Sequence, residues 1–159
     1  MLKGIILHWT AGSYFPCAVD LASYHFIIDK NGKVYQGKYT PRDNENCTDG
    51  KYAPHCGGGN TGRIGIAICC RRDTKTPPTQ QQIEAMCHLA AECCIKYGIL
   101  PSKIQTHAEF GREHPNTSSA HKIDINSIPY ANLSGVQSCG DYLRNKTNWY
   151  YSKLKKQGN

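Results

Sequence analysis

The sequence predicts a single α/β domain, with a central mixed β-sheet of about five strands flanked by helices. Three observations predict it. The chain has 159 residues, enough for one domain with a hydrophobic core and cramped for two. Short apolar runs recur along it, and one long segment of helical periodicity lies among them. No internal repeat or low-complexity block breaks that order.

The elements follow in turn. Residues 3–9 read as a buried strand. Phe15 to Ser23 reads as a short helical turn, since Pro16 suits a first turn. Tyr24 to Lys30 is a second strand, Asn31-Gly32 signals a hairpin, and Lys33 to Gly37 returns as a third. Residues 40–62, rich in Pro, Gly, Asn and Asp, read as a long loop of the kind that carries function. Arg63 to Cys70 is a fourth strand. Gln80 to Tyr97 is the clearest helix. Thr79 and Gln82 form a capping box, and Ile83, Met86, Cys87, Ala90, Cys94 and Tyr97 make one apolar stripe. Gly98 ends it, with Pro101 beyond. Ile104 to His107 is a fifth strand, residues 108–135 read as irregular, and a last helix spans roughly Cys139 to Lys156. Residues 136–159 are therefore expected as a helical extension packed on the domain.

Nineteen Lys and Arg against twelve Asp and Glu give a net charge of +7, which favours an anionic partner. No run of five or six basic residues and no nucleic-acid motif occurs, so no nucleic-acid partner is expected. No segment has the length of a transmembrane helix. The N-terminal apolar run is too short for a signal peptide, and the expectation is a cytoplasmic start.

The nine cysteines are odd in number, and no two stand in a Cys-x2-Cys pattern, which argues against a structural zinc knuckle. Cys87 and Cys94 share a helix face but lie roughly 10 Å apart along it, too far to bridge. The cysteines read as small buried hydrophobes of a reducing environment, with Cys47 and Cys56 the pair expected if one forms. Gly57-Gly58-Gly59 lacks the Gly-Lys-Ser/Thr ending of a phosphate loop and reads as flexibility or close substrate approach.

Three distant residues look like one metal site. His8 ends the run Ile5-Ile6-Leu7, His107 ends Ile104-Gln105-Thr106, and Asp124 lies in Lys122-Ile123-Asp124. Two imidazoles and a carboxylate, with water in the fourth position, make an open tetrahedral site of the hydrolytic zinc type. In an extended segment Lys122 and Asp124 leave the same face, which sets a cation beside the metal.

The same segments carry a family resemblance over residues 3–126. Ile6-Leu7-His8-Trp9-Thr10-Ala11 resembles the first ligand strand of zinc N-acetylmuramoyl-L-alanine amidases of the type-2 amidase and peptidoglycan-recognition superfamily. Tyr24-His25-Phe26-Ile27-Ile28-Asp29-Lys30-Asn31-Gly32 resembles the hairpin that bears a catalytic tyrosine. His55, Gly57 and Asn60-Thr61-Gly62-Arg63-Ile64-Gly65-Ile66 resemble the substrate-groove loop and its strand. His107 resembles the second ligand, and Lys122-Ile123-Asp124 the element that holds the third. Two departures stand out. Ala67 occupies the position where some members carry a catalytic glutamate, and the span from His107 to Asp124 includes His114 and His121, which compete as third ligand.

The resemblance implies one Zn2+ on His8, His107 and Asp124, with Tyr24 and Lys122 catalytic and His55, Asn60 and Thr10 contacting substrate. Tyr24 rather than His25 is expected to face the metal. The implied reaction is hydrolysis of the amide joining N-acetylmuramic acid to L-alanine in peptidoglycan, by a monomeric phage endolysin released through a holin-type route. A wall-recycling amidase, an antibacterial effector and a non-catalytic peptidoglycan-binding module are the alternatives. The basic last helix, with Trp149 and Tyr150 among its lysines, suggests contact with an anionic membrane or lipopolysaccharide.

Overall fold

A computed structural model describes residues 1–158. Five strands form the central sheet: β1 (Gly4–Trp9), β2 (Phe26–Ile28), β3 (Val34–Gln36), β4 (Arg63–Ile68) and β5 (Ile104–Thr106), in the order β3-β2-β4-β1-β5. The pairs β1–β4, β1–β5 and β2–β4 are parallel, and the β2–β3 hairpin is antiparallel. The mixed sheet expected from the sequence is present.

The two central strands are buried on both faces, which explains their unbroken apolar character. Alternation sorts their side chains. Ile5, Leu7 and Trp9 of β1 and Ile64, Ile66 and Ile68 of β4 join the main core, together with Ile83, Met86, Cys87 and Ala90 of α2 (Gln80–Tyr97). Leu143 and Cys139 of α4 (Val136–Gln157) complete that layer. On the opposite face Ile6 packs with Cys56 and Phe110. His8 shares that face with Ile6, and the register sets it beside Ala67 of β4. The functional face is therefore the side of the sheet away from α2.

The α2 bounds agree with the sequence. The Thr79 hydroxyl accepts from the Gln82 amide, the Gln82 side chain answers at the Thr79 amide, and Gly98 closes the helix in the left-handed conformation. The first helix, α1 (Ala18–Ser23), is shorter than expected, and Tyr24 sits at its end rather than in β2.

The segment 108–135 departs from expectation. It begins inside α3 (His107–Glu113) and includes a two-stranded ribbon of β6 (Ser127–Ile128) and β7 (Leu133–Ser134). The helix has a local cause. The Thr106 hydroxyl accepts from the Glu109 amide at 3.2 Å, and Glu109 Oε1 accepts from the Thr106 amide at 2.9 Å. Thr106-x-x-Glu109 is thus a capping box that starts a helix at His107, although His114 and Pro115 soon end it.

Helix α4 begins at Val136, three residues before the expected Cys139. Leu143 is fully buried, whereas Trp149 is 56% exposed, with the Lys153 ammonium 4.4 Å from its ring centroid. Arg144 joins α4 to α3. It donates to both carboxylate oxygens of Glu109 at 2.7 and 2.8 Å and to the Ile104 carbonyl at 3.1 Å. Gly140 permits the approach, since a Cβ there would lie 2.4 Å from Glu109 Oε2. Arg144→Met is expected to lower stability by about 2 kcal/mol, because Glu109 loses two charge-assisted hydrogen bonds in a partly buried site. Urea unfolding measures it, and a change below about 0.5 kcal/mol would show the pair to be an ordinary surface ion pair.

All nine cysteines are free thiols, and seven are buried, as the reading of small hydrophobes requires. Cys47 and Cys56 do not pair. Cys56 is committed to the cluster with Ile6 and Phe110. Among the described residues no helix is long and apolar enough to cross a membrane.

Candidate active site

Parallel pairing brings the two histidines together. Leu7 of β1 registers with Thr106 of β5, so His8 and His107 follow at neighbouring strand ends, 99 residues apart in sequence. Their Nδ1 atoms lie 3.1 Å apart. Asp124 arrives from the loop beyond α3, and its carbonyl accepts from the Ala108 amide at 2.6 Å. That bond sets Asp124 Oδ2 3.3 Å from His8 Nδ1 and 3.5 Å from His107 Nδ1.

This triangle fits a metal. Tetrahedral zinc with bonds near 2.05 Å separates its ligand atoms by about 3.3 Å, and the three observed edges bracket that value. All three residues are buried, and they are the one such group of His, Cys, Asp and Glu found among the described residues. His114 takes no part. Its ring stacks on Phe110 at 3.9 Å, and its Nδ1 pairs with the Phe110 carbonyl. His121 is exposed and stands on the cavity wall outside the triangle.

Burial and the Asp124 carboxylate act in opposite directions on the two rings. Burial pulls His8 down to about 4, against the hydrogen bond with Asp124. Burial also works to lower His107, but Asp124 and, after it, Cys56 outweigh it and lift His107 to about 9. Burial would raise the Asp124 carboxyl, yet its bonds to His107 and His8 hold it well below the usual carboxylate range. An anionic oxygen and two imidazoles at this spacing suit a divalent cation.

His107 and Asp124 of the triangle lie in the wall of a cavity of about 570 Å³. Thr10, Tyr24, His55, Asn60 and Lys122 also line it, and His8 lies buried behind that wall. The Tyr24 ring lies 5.0 Å from that of His8. Burial, and then the negative charge of Asp124, raises the Tyr24 phenol above its ordinary pKa. Tyr24 is therefore a neutral hydrogen-bonding group at physiological pH rather than a phenolate base. Lys122 is exposed at the cavity wall.

Two of these residues are already occupied. The Asn60 side-chain oxygen accepts from the Cys56 amide at 2.7 Å. His55 is buried, with Nδ1 3.0 Å from His8 Nε2 and Nε2 3.0 Å from the Arg63 carbonyl. Sequence reasoning missed Ser119, a fully buried hydroxyl 2.9 Å from His107 Nε2. Nothing in its Thr-Ser-Ser context signals that partnership.

His25 serves the scaffold. Its Nδ1 accepts from the Gly65 amide at 2.9 Å, and its Nε2 donates to Asn44 Oδ1 at 2.8 Å. Burial lowers its pKa to about 4, against the opposing bond from Asn44. The folded state thus disfavours the protonated ring, so the His25 contribution is full above about pH 6.5 and is lost as pH falls toward 4. It amounts to about 3 kcal/mol at most. Stability measured by denaturant at pH 7 and at pH 4.5 should fall more steeply in wild type than in His25→Gln. Equal slopes would remove His25 as a cause.

A family model described as N-acetylmuramoyl-L-alanine amidase matches residues 2–124. Solved structures similar to the chain include the N-acetylmuramoyl-L-alanine amidase LysC from Clostridium intestinale URNW. It has a TM-score of 0.51 and 21% identity over 68% of this chain and 71% of that one. Another is the amidase AmiD from E. coli in complex with anhydro-N-acetylmuramic acid-L-Ala-D-γ-Glu-L-Lys. Its TM-score is 0.56 at 20% identity, over 79% of this chain and 52% of that one. At these identities the likeness concerns the fold. No curated protein sequence matches the chain.

Proposed function

Because the chain belongs to the N-acetylmuramoyl-L-alanine amidase family, we propose that it hydrolyses its amide substrate at a single Zn2+ held by His8, His107 and Asp124. One observation carries this reading: three buried ligand atoms converge at tetrahedral spacing, two of them from residues that line a cavity. A zinc ion so held supplies Lewis acidity, lowering the pKa of bound water and polarising the scissile carbonyl.

The chain's own residues supply the rest. The Lys122 ammonium would stabilise negative charge that develops on the carbonyl oxygen, a role supported by its position at the wall of the same cavity. The protonated Tyr24 phenol, beside His8, orients a reacting group by hydrogen bonding. Thr10 and Asn60 line the walls where the lactyl and peptide parts would lie. The finer role we propose is that of an endolysin that degrades a host wall. The net charge of +7 supports it, since it favours approach to a polyanionic wall. The full ligand triangle speaks against a module that only binds.

A digest of purified peptidoglycan, read by mass spectrometry, tests the reaction. Stem peptides with a free N-terminal alanine beside intact glycan strands are expected. Glycan fragments, or wall binding without any cleavage, would overturn it.

A further inference from the structure

We infer that His55 and Ser119 are positioning residues for the two imidazole ligands, holding His8 and His107 through hydrogen-bond relays that end on the main-chain carbonyls of Gly57 and of Arg63, the first residue of β4. The inference rests on the metal reading above.

The first relay admits one proton arrangement. A main-chain carbonyl only accepts, so the His55 Nε2 that lies 3.0 Å from the Arg63 oxygen carries a hydrogen. A neutral His55 then offers Nδ1 as an acceptor, 3.0 Å from His8 Nε2. His8 Nε2 must donate, and the lone pair of His8 is left on Nδ1, the atom that faces His107 and Asp124. The second relay repeats the logic. Ser119 Oγ donates to the Gly57 carbonyl at 2.7 Å, and so accepts from His107 Nε2 at 2.9 Å. With Nε2 keeping its hydrogen, the atom of His107 that a metal would take in place of a proton is again Nδ1.

Both relays end on carbonyls of the segment from Gly57 to Arg63, whose Gly57 and Asn60 line the cavity. The fold makes room for the first of them. A Cβ on Gly65 of β4 would lie 2.5 Å from the His55 ring, so only glycine lets that ring pack this closely against the strand. With both nitrogens committed, His55 has no polar atom left for a substrate, although it lines the cavity. Partners of this kind hold a ligand in one tautomer and one orientation.

The test measures Zn2+ affinity, by competition with a chromophoric chelator, in wild type, His55→Phe, His55→Gln and Ser119→Ala. Circular dichroism checks the fold of each. His55→Phe keeps the ring volume but removes both hydrogen bonds, and is expected to lose about 10- to 100-fold in Zn2+ affinity. Glutamine can accept from His8 and donate to Arg63, so His55→Gln should recover part of that loss. The Co2+-substituted visible spectrum should shift in His55→Phe and return toward wild type in His55→Gln. Ser119→Ala removes one oxygen and tests the second relay even if His55→Phe does not fold, with about a tenfold loss expected. Wild-type Zn2+ affinity with a raised KM in His55→Phe would make His55 a substrate contact and overturn its positioning role. Unchanged affinity in Ser119→Ala overturns the Ser119 role. A wild type that binds no Zn2+ overturns the metal reading itself, and the inference with it.

Discussion

His107→Ala is expected to abolish amidase activity, with a loss of at least about a thousandfold. The imidazole supplies one of three protein ligand atoms in the proposed site, and no neighbour can replace it. Cys56 is packed against Ile6 and Phe110, and His114 is turned onto the Phe110 carbonyl. The fold should survive, because the start of α3 depends on Thr106 and Glu109 rather than on the His107 side chain. Three readouts should move together: rate of stem-peptide release, bound zinc per chain, and response to a chelator. Wild type stripped by a chelator should fall to the level of the variant and recover on adding Zn2+, whereas His107→Ala should not recover. Activity within tenfold of wild type in the variant would dismiss the metal mechanism.

Lys122→Met should cost about 100- to 1,000-fold in kcat, the usual consequence of removing a donor that stabilises a developing oxyanion. Lys122 is exposed, so the change should leave stability near that of wild type. Zinc content should also be unchanged, since Lys122 is outside the ligand triangle. Most lysines are solvated surface residues, and a kcat within about threefold of wild type would return Lys122 to that class. Arginine in its place should restore only part of the rate, because a planar fork does not reproduce a point charge on a flexible stem.

Legibility in the sequence followed the range of the interactions. Strands β1 and β4 were readable because burial on both faces leaves an unbroken apolar run, and α2 because its cap, stripe and terminal glycine agree. The start of α3 was also written locally, in Thr106 and Glu109, but the Pro, Asn and Ser beyond it mask a helix of seven residues. Tyr24 lies at the end of α1, a place that no local signal in the sequence marks.

The sequence by itself determined the types of the main elements, the place of His8 in β1 and of His107 just past β5, and the chemical kinds of ligand available. Only the tertiary structure decided that β1 pairs in parallel with β5, that the Ala108 amide holds Asp124 over the gap, and that His55 turns its nitrogens to His8 and Arg63. The physical reason is range. Helix caps and apolar periodicity are interactions among residues a few positions apart, so their signals survive in the linear order. A contact between side chains 47 or 99 residues apart depends on how whole elements pack, and leaves no mark in the neighbours of either residue.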